Sequence, residues 1–246
     1  MKRYILTTFL TSLITLGCIN GQTNKNVIEN PQQKIDMNNF EYSFASAHPN
    51  AKTLMKDSFL WSPIEESAPF GSDDGSNAAH RFKEWRNINP VVSPTKYLED
   101  LFLNWNYPYF NLNEMDTSKI QNYINTKAHL DESEIVGQIK MLKEINNNSG
   151  DSTANKLSDQ QLRDIINSSQ QSMGGMYLLG KDNAIIGVGF AQFVLEGKID
   201  KEMKVLTVTA IKRQLLPMLI HRYEDKHQEK RVFQLTKMLE LINKVE

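Results

Sequence analysis

Apolar residues recur at helical spacing along most of the chain after residue 40. The clearest stripe has the spacing i, i+1, i+4, i+5 and i+8, and its members are Tyr97, Leu98, Leu101, Phe102 and Trp105. Such a stripe covers the face of an α-helix that packs on a core. The same pattern predicts helices over residues 49–58, 78–86, 116–127, 184–196, 200–223 and 229–245.

Capping residues mark several of the predicted helix starts. Ser93-Pro94 supplies an N-cap followed by a first-turn proline. Two further starts carry a capping box, in which two side chains three residues apart accept bonds from each other's backbone amides. These pairs are Asp131 with Glu134 and Ser158 with Gln161. The caps support the helical interpretation independently of the apolar pattern.

The segment 184–196 is apolar on almost every side, so we expect it to be a central buried helix. Its internal glycines, Gly187 and Gly189, would allow a neighbouring helix to approach closely. Asp182 is expected to cap its start, and Gly197 its end. The glycine pair does not fit a dinucleotide fingerprint, because no strand and no following acidic residue frame it.

The fold class predicted from these elements is all-α, a mainly helical single domain. A minor two-strand element remains open at residues 176–179, after an expected helix end at residues 173–175. Pro217 is expected to kink the helix predicted over residues 200–223. The domain is expected to span residues 40–246, with a possible sub-boundary in the polar segment 146–157.

The first 39 residues predict an export signal and a flexible tether. Lys2 and Arg3 precede an apolar run, and residues 1–17 together resemble a signal peptide that ends just before Cys18. The sequence Leu16-Gly17-Cys18 resembles a bacterial lipobox, which implies lipidation of Cys18. Thr15 departs from that pattern, so ordinary cleavage near Gly21 remains open. Residues 18–39 are polar and rich in Asn and Gln, as in a tether.

Charge and cysteine content exclude some classes of function. The formal net charge is −1, so no basic field is present to attract nucleic acid. Cys18 is the single cysteine of the chain, which rules out an internal disulfide and a Cys/His catalytic pair in the domain. No cofactor motif occurs, and we expect no cofactor.

Residues 60–85 combine aromatic residues, turn residues and five carboxylates more densely than any other stretch. The carboxylates could gather around a hard cation whose identity the sequence leaves unknown, and His80 and Glu84 share a helix face. The alternative is a capped helix with a solvated face, whose cap is one of the Ser and Asp residues at 72–76. The candidate binding residues are Trp61, Glu65, Glu66, Asp73, Asp74, His80 and Glu84.

The same stretch resembles a known family. Residues 47–86, and above all the core PFGSDDG, are similar to the YfeS-like family of bacterial proteins, a domain of unknown function. A weaker similarity extends to residues 184–200 and 210–217. The resemblance implies a shared fold and supplies no mechanism.

Three functions compete at this point. The first is a non-enzymatic, lipid-anchored protein of the bacterial envelope, periplasmic or at the outer membrane, that binds a protein partner, as an immunity protein does. The second is a carboxylate- or metal-dependent enzyme that uses the acidic cluster of residues 65–84. The third is a small-molecule binder in the aromatic region around Trp61, Trp105 and residues 107–110.

We predict that Cys18 carries a lipid. Metabolic labelling with a fatty-acid analogue should mark the natural sequence and leave Cys18→Ser unlabelled, because only the thiol accepts the diacylglyceryl group. Equal labelling of both proteins, or a mature N-terminus at Gln22, would contradict lipidation while leaving export intact.

Overall fold

Ten α-helices and one short 3₁₀ turn make up the computed structural model over the residues it describes, which are 40–127, 131–149, 157–170 and 173–245. No strand occurs in these ranges, so the all-α prediction is confirmed. The helices are α1 (Pro49–Leu54), α2 (Asp73–Ile88), α3 (Pro94–Asn104), α4 (Thr117–Ile124), α5 (Glu132–Ser149), α6 (Asp159–Ser169), α7 (Gly174–Glu196), α8 (Lys201–Gln214), α9 (Pro217–Ile220) and α10 (Asp225–Lys244). The 3₁₀ turn is Ser58–Trp61.

Helix α7 lies at the centre of the fold. It packs most extensively against α2 and α8, and α4 and α3 cover other parts of its surface. Every residue from Ala184 to Leu195 is buried, because these four helices cover α7. Helix α10 packs on the outer side of α8 and completes the main core. The prediction of a central buried helix is therefore correct.

Two glycines of α7 allow its neighbours to approach closely. A Cβ at Gly187 would lie 2.5 Å from the carbonyl oxygen of Gly75 in α2, and a Cβ at Gly189 would lie 2.2 Å from the hydroxyl of Thr207 in α8. Gly197 ends the helix with φ of 69°, in the left-handed region that glycine adopts without strain. All three glycines have the roles expected from the sequence.

The predicted start of α7 is wrong by ten residues. The helix begins at Gly174, so the segment 173–175 opens it instead of ending the helix before it, and the possible strand at residues 176–179 is helical. Asp182 does not cap the helix but lies in its interior, fully buried. The sequence suggested a boundary there because charged residues seldom occupy a core helix, and this one is paired within the core.

Helices α8 and α9 correct a second boundary. The predicted helix over residues 200–223 is broken and not merely kinked, because α8 ends at Gln214 and α9 begins at Pro217. Proline lacks an amide hydrogen and favours an extended residue before it, and Leu216 is indeed extended.

The predicted start of α2 is also wrong. This helix begins at Asp73 and not at Ala78.

Helices α5 and α6 form a hairpin with a small apolar cluster of its own, made by Ile135, Ile139, Leu162 and Ile166. Both predicted capping boxes are present at its helix starts. Helix α5 continues to Ser149, so the first residues of the predicted polar segment 146–157 are helical. The rest of the polar segment, residues 150–156, lies outside the described residues. The same holds for the predicted signal (residues 1–17) and the predicted tether with Cys18 (residues 18–39), so these domain assignments stay predictions.

Helix α7 also has the length and apolar composition of a membrane span, with a mean hydropathy of 1.2 over its best 18-residue window. However, 89% of that window is buried inside the protein. This burial is what the central helix of a packed domain requires.

We predict that Gly187→Ala destabilises the fold by about 1–3 kcal/mol, because the added methyl group would collide with rigid backbone of α2. Gly137 in α5 is the matched control, since a Cβ there meets nothing within 4 Å. Gly137→Ala should instead stabilise the protein by up to about 1 kcal/mol through helix propensity. Urea unfolding measures both variants. Stabilisation by both substitutions would contradict tight packing of α2 on α7.

Candidate functional site

The acidic stretch folds as a loop followed by the first turns of α2. Ser72 is the N-cap, and its hydroxyl accepts a hydrogen bond from the Gly75 amide at 3.1 Å. Asp73 and Asp74 occupy the first turn, where carboxylates complement the positive end of the helix dipole. The local geometry is that of a capped helix start.

Glu65 and Glu66 diverge from the other carboxylates. Glu65 contacts α10, where Lys230 lies 2.7 Å from its carboxylate and Gln234 lies at 3.3 Å. The hydrogen bonds from Lys230 and Gln234 lower the pKa of Glu65 below its usual value. Glu66 is exposed to solvent. The first two candidate ligands therefore face α10 and solvent.

Asp74 turns towards α7 and the loop that follows α3. A Cβ at Gly180 would lie 2.9 Å from the Asp74 carboxylate and 3.2 Å from the Tyr107 ring, so these groups share one small space. Burial, and after it the charge of Asp73, raises the pKa of Asp74. Asp73 itself is exposed.

The remaining candidates are held separately. The indole of Trp61 donates to the carbonyl oxygen of Met55 at 2.9 Å, and its ring meets Phe44 edge-on. His80 packs edge-on against Tyr42 at 5.4 Å between ring centroids, and Glu84 is exposed.

The structure thus spreads the seven candidate residues over several surfaces. Within the described ranges, no group of three or more His, Cys, Asp or Glu side chains has an arrangement that could hold a metal ion. The local density of carboxylates in the sequence does not become a cation site in this part of the chain.

A buried ion pair that the sequence analysis missed lies at the centre of the molecule. Asp182 of α7 and Arg213 of α8 are both fully buried, and the guanidinium donates to both carboxylate oxygens. The side-chain amide of Gln214 also donates to Asp182, at 2.6 Å. Such a pair is tolerated in a core only when its hydrogen-bonding capacity is satisfied, as it is here.

Arg213 also fixes the loop of residues 106–113, which we call the aromatic loop. Its second terminal nitrogen donates to the carbonyl oxygens of Leu112 and Glu114 at 3.0 and 2.9 Å, and its plane lies over the Phe110 ring at 5.1 Å. The ion pair therefore connects α7, α8 and the aromatic loop in one network.

The network continues to α10. Arg231 donates to the oxygen of Gln214 at 2.9 Å and to the hydroxyl of Ser67 at 3.1 Å, and it stacks over Tyr223. Its Nε is shielded from solvent and has no hydrogen-bond partner among the described residues. Burial lowers the pKa of Arg231 from its usual value.

A groove of about 1010 Å³ opens beside this network. Helix α3, the aromatic loop, Lys181 of α7 and the first two turns of α8 line it. Its surface is mainly apolar and aromatic, with Phe102, Tyr107, Phe110 and Leu206 prominent. Exposed apolar side chains on its walls include Leu103, Tyr109 and Val205.

Lys181 is the buried charged group of the groove. The residue is only 3% exposed, and its ammonium lies 4.5 Å from the centre of the Phe102 ring and 5.6 Å from that of Tyr107. Burial lowers the pKa of Lys181 to about 8, against the opposing charge of Asp182. One signal in the sequence pointed to this site, namely two charged residues, Lys181 and Asp182, within a long apolar run.

Comparison with known proteins adds no relative. A scan against protein-family models, a search of curated proteins and a search of solved structures each found no match. The resemblance to the YfeS-like family therefore stays a prediction.

We predict that Arg213→Met destabilises the protein by about 3–5 kcal/mol, because it leaves Asp182 buried without its counter-charge. The double variant Asp182→Leu/Arg213→Met should unfold at a higher urea concentration than Arg213→Met, since it removes the orphaned carboxylate. Lys237→Met is the control, because its ion pair with Glu240 is exposed and should contribute at most about 1 kcal/mol. A double variant less stable than Arg213→Met would contradict the conclusion that the unpaired Asp182 carboxylate causes the loss of stability.

Proposed function

We propose that the protein is a non-enzymatic binding protein that takes up a small molecule in the groove between α3, the aromatic loop and α8. The single observation that carries this proposal is the groove itself, about 1010 Å³ in volume, aromatic in its lining and containing one buried charged side chain. Small-molecule sites usually have volumes of roughly 300–1,000 Å³, apolar walls and few polar groups.

The walls of the groove are held in place before any ligand arrives. Phe102, Trp105, Tyr107 and Tyr177 form a chain of ring contacts with centroid separations of 4.8–5.7 Å. Arg213 fixes the far end of the aromatic loop through the backbone carbonyl groups of Leu112 and of Glu114, the residue just after the loop. A preorganised site loses less conformational entropy on binding, which favours affinity.

The exposed apolar residues on the walls also support binding. Leu103, Tyr109 and Val205 present large apolar side chains to solvent in one region of the surface. Exposed apolar patches on soluble domains commonly mark a place where something binds.

The proposed location follows from the N-terminal sequence. With a signal peptide, Cys18 and a polar tether, the domain would be exported and held near a membrane of the bacterial envelope by a lipid. A tethered domain with an open groove suits the capture of a ligand in that compartment.

The two other hypotheses receive less support. A protein partner recognised through the acidic cluster would find Glu65 engaged with Lys230 and Asp74 turned inwards. An enzyme that uses the same carboxylates would need them to converge, and they lie on separate surfaces. The groove supports the small-molecule hypothesis, since Tyr107, Tyr109 and Phe110 line it. Trp61 and Trp105, which the hypothesis also named, are not among its lining residues.

We predict that Val205→Glu weakens binding of the neutral apolar dye Nile red, because it places a charge on the groove wall. Val136→Glu is the matched control, since Val136 of α5 is 51% exposed and Val205 is 52% exposed, and Val136 is not among the lining residues of the groove. Dye fluorescence should fall at least about threefold in Val205→Glu and stay unchanged in Val136→Glu. Equal fluorescence from all three proteins would contradict the groove as the binding site.

A further inference from the structure

Among the buried charged residues that the structure describes, Lys181 and Arg231 have no oppositely charged group bonded to them. Arg231 donates hydrogen bonds to Gln214 and Ser67, whereas Lys181 lines the groove. Asp182 and Arg213 satisfy each other, and Arg86 pairs with Glu196. The Lys181 ammonium instead lies against the Phe102 and Tyr107 rings and forms no hydrogen bond with the described residues.

The ring faces compensate only part of the cost of burying this ammonium. A cation over an aromatic ring gains a fraction of the free energy that it loses when it leaves water. The lowered pKa of Lys181, about 8, reflects the same deficit. An anion that entered the groove would supply the missing counter-charge.

We infer that the groove binds a hydrophobic carboxylate, with its carboxylate paired to the Lys181 ammonium and its apolar body against Phe102, Tyr107, Phe110 and Leu206. This inference rests on the proposed small-molecule function and names the chemical class of the ligand. It concerns a free organic acid whose apolar part is an aromatic ring or a short acyl chain.

The other charged groups near Lys181 do not replace such a ligand. On α3, Glu99 is exposed and pairs with Lys96 at 3.5 Å. On α8, Glu202 and Lys201 are exposed neighbours of opposite charge, and Glu202 accepts a hydrogen bond from Ser93 at 3.5 Å.

The charges on the remaining sides are also accounted for. Asp182, next to Lys181 on α7, is bonded to Arg213 and Gln214. Asp74 of α2 reaches the space beside Gly180 and Tyr107. Tyr107 is the titratable group of the aromatic loop nearest the ammonium, and burial, with the charges of Asp74 and Tyr177, raises its pKa.

A ligand cation is a poorer fit, although aromatic residues also bind cations. The Lys181 ammonium already lies against the rings of Phe102 and Tyr107, so a second positive charge there would be repelled. The groove therefore selects a negative group at its buried end and an apolar group elsewhere.

The test compares 2-naphthoate with 2-naphthamide, which share one ring system and differ in charge. Titration calorimetry on the mature protein should give at least about tenfold tighter binding of naphthoate at pH 7, because a hydrogen bond to a charged group is stronger than one to a neutral group. Lys181→Met should abolish this preference and still bind naphthamide. Lys237→Met, which removes a surface lysine of α10 that does not line the groove, should keep the preference.

A pH series gives a readout that a purely structural lysine would not change. Naphthoate affinity should fall as pH rises through about 8, the pKa of Lys181 in the free protein, whereas naphthamide affinity should stay level. The fall should be absent in Lys181→Met and present in Lys237→Met.

The outcomes separate the two proposals. Equal binding of both probes, or a naphthoate preference that survives in Lys181→Met, overturns the carboxylate inference and leaves the groove as a binding site. Binding of Nile red without binding of naphthoate would also overturn the carboxylate inference and leave the groove as a binding site. If the wild type binds neither probe nor the dye, the proposed function itself fails, and the inference fails with it.

Discussion

The buried pair of Asp182 and Arg213 is the interaction on which the rest of the site depends. Removing two charges from water is costly, and the core tolerates this pair because its hydrogen-bonding groups are almost all used. Asp182 accepts from Arg213 and Gln214, and Arg213 also donates to the carbonyl groups of Leu112 and Glu114. The same contacts fix α7 against α8 and attach the aromatic loop to both. The position of the aromatic loop, which forms one wall of the groove, therefore depends on the residue that neutralises Asp182 in the core.

Two adjacent residues of α7 show how position decides the fate of a charge. Successive side chains on an α-helix point about 100° apart, so Asp182 faces Arg213 while Lys181 faces the groove. The first charge is fully paired and structural. The second is 3% exposed, and its ammonium lies over the Phe102 ring. This contrast is the physical basis for the proposal that Lys181 binds a ligand, whereas Asp182 stabilises the core.

The acidic stretch illustrates the opposite case, in which density along the sequence does not become a site. The loop sends Glu65 to Lys230 of α10, while the helix start turns Asp74 towards α7 and leaves Asp73 in solvent. Gly75 in the same segment serves packing, because its backbone lies against Gly187. The stretch that suggested a binding or catalytic site in the sequence thus serves mainly to join α2 and its preceding loop to the core.

The sequence by itself determined the helical class, the cap residues Ser93 and Ser158, the left-handed end at Gly197 and the burial of α7. These features depend on local periodicity and on backbone bonds within a few residues, so a single chain segment carries the information. Only the tertiary structure decided that Asp182 is interior, since its partner is 31 residues away. The groove likewise exists only where α3, the aromatic loop, α7 and α8 meet, and no segment specifies that meeting alone.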